Sequence, residues 1–194
     1  MIRARGLAKR FGAKCALAPL DLDVEAGSFQ LVTGPNGSGK TTLLRMLSGL
    51  LAPTVGKLEI SVDRSALGFL AHEPLVYRDL TALENLDLFG RLYRVPERRE
   101  RIGMLLERYG LWDVRGEPAG SFSRGMLQRL ALCRTFLHDP QLLLLDEPFN
   151  ALDSEGAELL DRELDDLAGR RTVVVATHDA QRIAPLATAR LVLA

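Results

Sequence analysis

A chain of 194 residues is long enough for one compact domain with a sizeable core and short for two. Its 47% hydrophobic and 26% charged residues are those of an ordinary soluble globular protein. Lys plus Arg number 25 and Asp plus Glu number 25, so no net charge draws the chain toward nucleic acid or anionic lipid, and no nucleic-acid partner is expected.

No apolar run approaches the roughly 18 residues of a membrane-spanning helix. The opening "MIRARGLAKRF" has scattered charges and no apolar core of a secretory signal. If membranes matter, a partner must supply the span. Cys15 and Cys133 lie far apart without metal spacing, so both are read as buried structural thiols of a reducing compartment.

In chain order, "IRARGLAKRF" reads as a short strand and "SFQLVTG" (28–34) as a strand ending in glycine. There follows "GPNGSGKT" (34–41), a G-x-x-x-x-G-K-[ST] match placed between a strand and a helix, the context this motif requires. Gly34 and Gly39 let the backbone turn tightly against phosphate oxygens at a helix N-terminus. Lys40 is placed to reach the β- and γ-phosphates, and the Thr41 hydroxyl to bind Mg²⁺. The nucleotide-binding set is Gly34, Pro35, Asn36, Gly37, Ser38, Gly39, Lys40, Thr41 and Thr42, and the cofactors are ATP and Mg²⁺. The competing reading is a glycine-rich turn that happens to precede a lysine.

Leu43, Leu44, Met46, Leu47 and Leu50 recur at helical spacing, which predicts a helix from Lys40 until Pro53 stops it. "KLEISV" (57–62) alternates as a strand and "ALGFLA" (66–71) is a short apolar one. "FLAHEPLVYRDL" (69–80) sets His72 beside a Glu-Pro pair in a loop. By itself this histidine reads equally as a metal ligand, a base or a residue filling a turn.

Helices come next. "TALE" (81–84) has the form of a capping box before "NLDLFGRLY", and a second helix runs from Pro96 to Tyr109 with Gly110 as its stop. Arg91, Arg94, Arg98, Arg99 and Arg101 read as a solvated face with helical pairs to acids, or as a surface toward a membrane subunit. Trp112 reads as packing. Ser123 caps a helix carrying Leu127, Leu130 and Ala131, and His138 reads as a cation at its end.

"QLLLLD" (141–146) is a continuous apolar run, the mark of a strand buried on both faces of a parallel sheet. It delivers Asp146, suited to Mg²⁺, and Glu147, suited to orienting and deprotonating an attacking water. A helix over 154–168 precedes "TVVVATH" (172–178), a second buried strand. His178 at its end can hydrogen-bond a γ-phosphate or the attacking water.

These motifs, in this order, resemble the ATP-binding subunit of ABC transporters over nearly the whole chain. "GPNGSGKT" is similar to its Walker A and "LLLLDEP" (142–148) to its Walker B with the glutamate; "NALD" (150–153) resembles its D-loop, with Asp153. Phe11 falls where the family stacks an aromatic on adenine. "FSRGM" (122–126) takes the signature position, keeping Ser123 and Gly125 but placing Arg124 and Met126 where the family has Gly and Gln. His72 falls at the family's usual glutamine position, nine residues before Thr81.

The resemblance implies an α/β P-loop ATPase with a RecA-like core, an N-terminal antiparallel β part and a helical insert. It divides a single domain over 1–194 into a core (1–72 and 125–194) and an insert (about 73–124). It implies Lys40, Glu147 and His178 as the catalytic set, and a signature that binds nucleotide held by a partner chain. The partners implied are a second ATPase subunit, as a homodimer, and an integral membrane permease, with the chain peripheral on the cytoplasmic face of the cell membrane. Within the superfamily the short chain, the abbreviated "GK" hairpin before "LGFLAHEP", and "DLTALENL" (79–86) are similar to the haem exporter of cytochrome c maturation. A small exporter ATPase with another substrate and a soluble ABC-type ATPase acting on a non-membrane partner remain as alternatives.

Overall fold

A computed structural model describes residues 1–194. Three strands, β1 (Ile2–Phe11), β2 (Lys14–Val24) and β4 (Val55–Ile60), form an antiparallel sheet in the order β2-β1-β4. Five more, β3 (Phe29–Thr33), β5 (Leu67–Leu70), β6 (Leu142–Asp146), β7 (Thr172–Ala176) and β8 (Ala189–Val192), form a parallel sheet in the order β5-β6-β7-β3-β8. The helices are α1 (Lys40–Leu47), α2 (Ala82–Leu92), α3 (Arg98–Arg108), α4 (Arg124–Phe136) and α5 (Ser154–Leu167), with α2 and α3 inserted between β5 and α4.

The uninterrupted apolar runs of β6 and β7 have a direct physical reason. Leu143 and Leu145, with Val173 and Val175, enter a core shared with Leu86, Leu106, Leu130 and Leu160. Leu142 and Leu144, with Val174, enter the opposite core, built on α1 and the antiparallel sheet through Leu43, Leu44, Leu47, Ile2 and Leu22. Both faces are covered, so alternation of apolar and polar residues has no place in these strands. Because the strands are parallel, the loops that follow β3, β5, β6 and β7 all leave at one edge. The register makes that edge level: Val32 and Asp146 both pair with Ala176. That edge therefore receives the 34–41 loop, His72, Asp146 and Glu147, and His178.

Several elements differ from the sequence expectation. The first helix ends at Leu47, not at Pro53, because Gly49 turns left-handed (φ 73°) and leaves Leu50 exposed. The second insert helix begins at Arg98 rather than Pro96, since Glu97 sits at φ 47°. Strands β2 and β8 have no counterpart in the pattern reading. Cys133 is buried, but Cys15 is exposed on β2 and is not a core thiol. His138 is no helix-end cation: it stacks on Tyr93 (centroids 4.0 Å apart), its Nε2 lies 3.1 Å from the Leu67 carbonyl, and burial pulls its pKa down.

Other expectations match the structure. The Thr81 capping box is complete, with Thr81 Oγ1 accepting from the Glu84 N–H and Glu84 Oε2 from the Thr81 N–H. The arginine-rich insert is partly paired through Asp87, which accepts from Arg91 one turn away and from Arg98 across the helix pair.

A Leu144→Ala chain, which empties a fully buried position of the interior strand β6, should lose about 2–5 kcal/mol of stability. Urea denaturation measures it; a loss below about 1 kcal/mol would contradict close packing on this face.

Candidate functional site

The 34–41 loop leaves β3 and enters α1 through Gly39. That residue has φ 101°, and a Cβ there would lie 2.6 Å from the Ala16 carbonyl oxygen. Only glycine combines that backbone with that approach. Lys40 is buried and folds back over the loop, its Nζ donating to the carbonyls of Gly34 (2.7 Å) and Pro35 (3.1 Å). An ammonium is thereby held at the loop's mouth beside the exposed Asn36 and the part-exposed Ser38 and Thr41. The Ser38 hydroxyl has no hydrogen-bond partner although its oxygen is buried.

Asp146 ends β6 at 1% exposure, and neither carboxylate oxygen has a hydrogen-bond partner. Burial pushes its pKa up, opposed by the nearby Thr41 hydroxyl and by His72. A buried carboxylate left bare is costly, and the partner it lacks is a cation. Glu147 follows with a left-handed backbone (φ 50°), unusual for a side chain with a Cβ and a feature that clusters at functional sites. Its N–H donates to the Ala176 carbonyl (2.8 Å), which anchors the turn to the end of β7.

The Glu147 carboxylate is fully engaged on one side. Oε1 accepts from the His178 backbone N–H (3.0 Å); Oε2 accepts from the Thr177 hydroxyl (2.9 Å) and lies 2.9 Å from His178 Nδ1. The imidazole itself is more than half exposed. This is a carboxylate oriented by a hydroxyl and an amide and coupled to a histidine, the arrangement of a positioned base.

Phe11, Asn36, Gly37, Gly39, Lys40, Thr41, Thr42, His72 and Glu147 line one cleft of about 430 Å³. Phe11 stands exposed at its rim with Lys9 Nζ 5.1 Å from the ring centroid. Lys14, Cys15 and Ala16 of β2 complete the wall, and the sequence reading missed them with that strand. Thr177 was also missed, although it adjoins His178 in "ATHD".

The residues expected to form the signature are elsewhere. Ser123, Arg124 and Gly125 start α4, where Ser123 Oγ accepts from the Met126 N–H (3.2 Å), and Gly125 packs on the Ala151 carbonyl. Asp153 caps α5: the Gly156 N–H first, and Arg129 second, hold its carboxyl below the usual range. None of these four lines the cleft of its own chain.

The family model for ABC transporters matches residues 17–150. The chain belongs to the ABC transporter family. It is 40% identical over 189 residues to the daunorubicin resistance ATP-binding protein DrrA3 of Streptomyces coeruleorubidus, covering 91% of this chain and 60% of that one. It is 34% identical over 197 residues to the bacitracin transport ATP-binding protein BcrA of Bacillus licheniformis, covering 96% of this chain and 64% of that one. The chain thus spans under two thirds of the length of these relatives. The dimeric structure of MJ0796, a bacterial ABC transporter cassette, superposes with a TM-score of 0.85 at 30% identity, covering all of this chain and 94% of that one.

The domain is an ABC-type ATPase domain, and its site fits the MgATP such domains use. The Thr41 hydroxyl and the bare Asp146 carboxylate offer hard oxygen donors of the kind Mg²⁺ prefers. When bound, the ion supplies charge neutralisation for phosphoryl transfer. A Lys40→Ala chain should bind MgATP at least tenfold more weakly, since removing a buried, hydrogen-bonded charge costs about 2–5 kcal/mol. Unchanged affinity in a nucleotide titration would contradict the placement of the phosphates at this loop.

Proposed function

We propose that the chain is the motor subunit of an ABC exporter, hydrolysing ATP to drive a separate membrane permease from the cytoplasmic face of the cell membrane. The observation that carries this is the Glu147 carboxylate, oriented by Thr177 and coupled to His178 beside the bare Asp146 and the Lys40 loop. Glu147 takes the proton of the attacking water, and His178 holds that water or the γ-phosphate. Phe11 supports the adenine. His72 reaches the same cleft and stands in for the family's glutamine.

Two cassettes are needed for a complete site. Ser123, Arg124 and Gly125 with Asp153 lie outside their own cleft, which fits their use across a dimer, and the superposed cassette is itself dimeric. A second cleft of about 460 Å³ opens next to the His72 loop and is bordered by the exposed Leu50, Leu75 and Leu92. An apolar rim of this kind suits a segment of the permease.

The names of the relatives, daunorubicin resistance and bacitracin transport, support export of an antibiotic-like amphiphile. Export of haem is the finer alternative. Its support is the likeness of the abbreviated "GK" hairpin, of "DLTALENL" and of the His-Glu-Pro at residues 72–74.

Glu147→Gln should still bind MgATP, accumulate as a dimer and turn over at least about a hundredfold more slowly. Phosphate release and light scattering measure both effects; full turnover in this chain would remove Glu147 as the base. Recovery of the chain with a membrane permease from detergent extracts is the expected result for the exporter reading, and recovery only in cytosolic assemblies would contradict it.

A further inference from the structure

His72 reaches the nucleotide cleft from a loop, between the end of β5 at Leu70 and the start of α2 at Ala82. A loop of that length holds a side chain in place only if its backbone is tied down. The far half, residues 77–81, is tied by Asn85, whose buried amide accepts from the Tyr77 N–H and donates toward the carbonyls of Tyr77, Leu80 and Thr81. The half that carries His72 is tied by Arg134 of α4.

Arg134 Nη2 donates to the Phe69 carbonyl (3.0 Å), three residues before His72, and Nη1 to the Leu75 carbonyl (2.8 Å), three residues after it. One planar fork thus spans the histidine from both sides, a geometry that a lysine ammonium cannot reproduce. Thr135 adds little at Phe69, since its single proton serves the Ala131 carbonyl at 2.8 Å rather than Phe69 at 3.4 Å. The guanidinium lies 5.1 Å from the Phe89 ring, is 9% exposed, and makes no ion pair. A buried cation without a counterion is a poor way to fill a core, where Met or Leu packs at no desolvation cost.

The helix that carries it also reaches the rest of the machinery. Along about 20 Å of α4, Ser123 begins the signature, Gln128 Nε2 donates to the Pro148 carbonyl just after Glu147 (3.0 Å), and Arg129 pairs with Asp153 (2.5 Å). Arg134 ends the series. One rigid rod therefore references the signature, the turn after the base, the D-loop aspartate and the His72 loop to one another.

We propose that Arg134 is a positioning residue for ATP hydrolysis, fixing the loop that holds His72 at the nucleotide cleft by gripping the carbonyls on either side of it. The proposal rests on the reading that His72 takes part in hydrolysis. It assigns to Arg134 an effect on turnover that passes through His72 and leaves the Lys40 loop, and hence nucleotide capture, untouched.

A double-mutant cycle on the full chain tests it, with kcat, KM for ATP and thermal midpoint measured for Arg134→Met, His72→Ala and the pair. Arg134→Met should lower kcat by about ten- to a hundredfold, as loss of an orienting partner does, with KM for ATP close to that of the unaltered chain. In the His72→Ala background the same substitution should lower kcat no further. An equal factor in both backgrounds, unchanged kcat in Arg134→Met, or unchanged kcat in His72→Ala would overturn the proposal. If Arg134→Met does not fold, Arg134→Lys takes its place, and the same comparison of factors decides. Loss of turnover in Glu147→Gln is independent of this cycle: unchanged kcat in His72→Ala removes the role of His72 and Arg134 with it, an equal factor in both backgrounds or unchanged kcat in Arg134→Met removes Arg134 alone, and retained turnover in Glu147→Gln removes the hydrolysis mechanism itself.

Discussion

Asp146 is the constraint on which the site depends. The fold buries its carboxylate at the end of β6, an interior strand of the parallel sheet, and leaves both oxygens without a hydrogen-bond partner. The groups around it answer this unmet charge: Thr41 in the first turn of α1 and His72 from its loop act on it, Lys40 holds a positive charge at the phosphate loop, and Glu147 is turned away toward His178 and Thr177. The Ser38 hydroxyl, buried and unpartnered in the same loop, is a second unmet group. Groups left bare in this way lower the stability of the empty fold and are made good only by a ligand, the usual exchange of stability for function.

The strand order turns one bare carboxylate into a site. Placing β7 between β6 and β3 brings the turn after Asp146, the end of β7 and the phosphate loop to one level edge. Parallel strands buried on both faces give that edge a rigid footing. The helical insert then packs on α4, so that the His72 loop and the signature are referenced to the same element.

What the sequence shows and what it hides divide along sequence separation. The strand-end positions of the phosphate loop, Asp146, Glu147 and His178 were legible because each is a short run with its own flanking strand or helix. The Thr81 capping box was legible for the same reason. Strand β2 was not, because its sequence "KCALAPLDLDV" contains a proline and one exposed face, and its pairing with β1 shifts register repeatedly. Strand β8 is four mostly exposed residues paired with β3 from the far end of the chain. Cys15 was misread as a core thiol because nothing local says that it faces the cleft. His138 is buried and stacked under the ring of Tyr93, 45 residues away in sequence, and that burial lowers its pKa. Arg134 gave no local sign at all, since its meaning lies in two carbonyls more than 50 residues distant.

The thermal midpoint of Asp146→Asn with and without MgATP measures the cost of this bare carboxylate directly. Burial raises the folded-state pKa of Asp146 above its unfolded value, so its ionisation removes stability as pH rises through the folded pKa, and the empty protein carries that loss above it. The neutral amide is free of it. At a pH above that folded pKa, the empty Asn variant should melt higher than the unaltered chain and lose most of the additional stabilisation that MgATP gives over ATP with a chelator. A lower midpoint for the empty variant, together with an undiminished Mg²⁺-dependent gain, would contradict it.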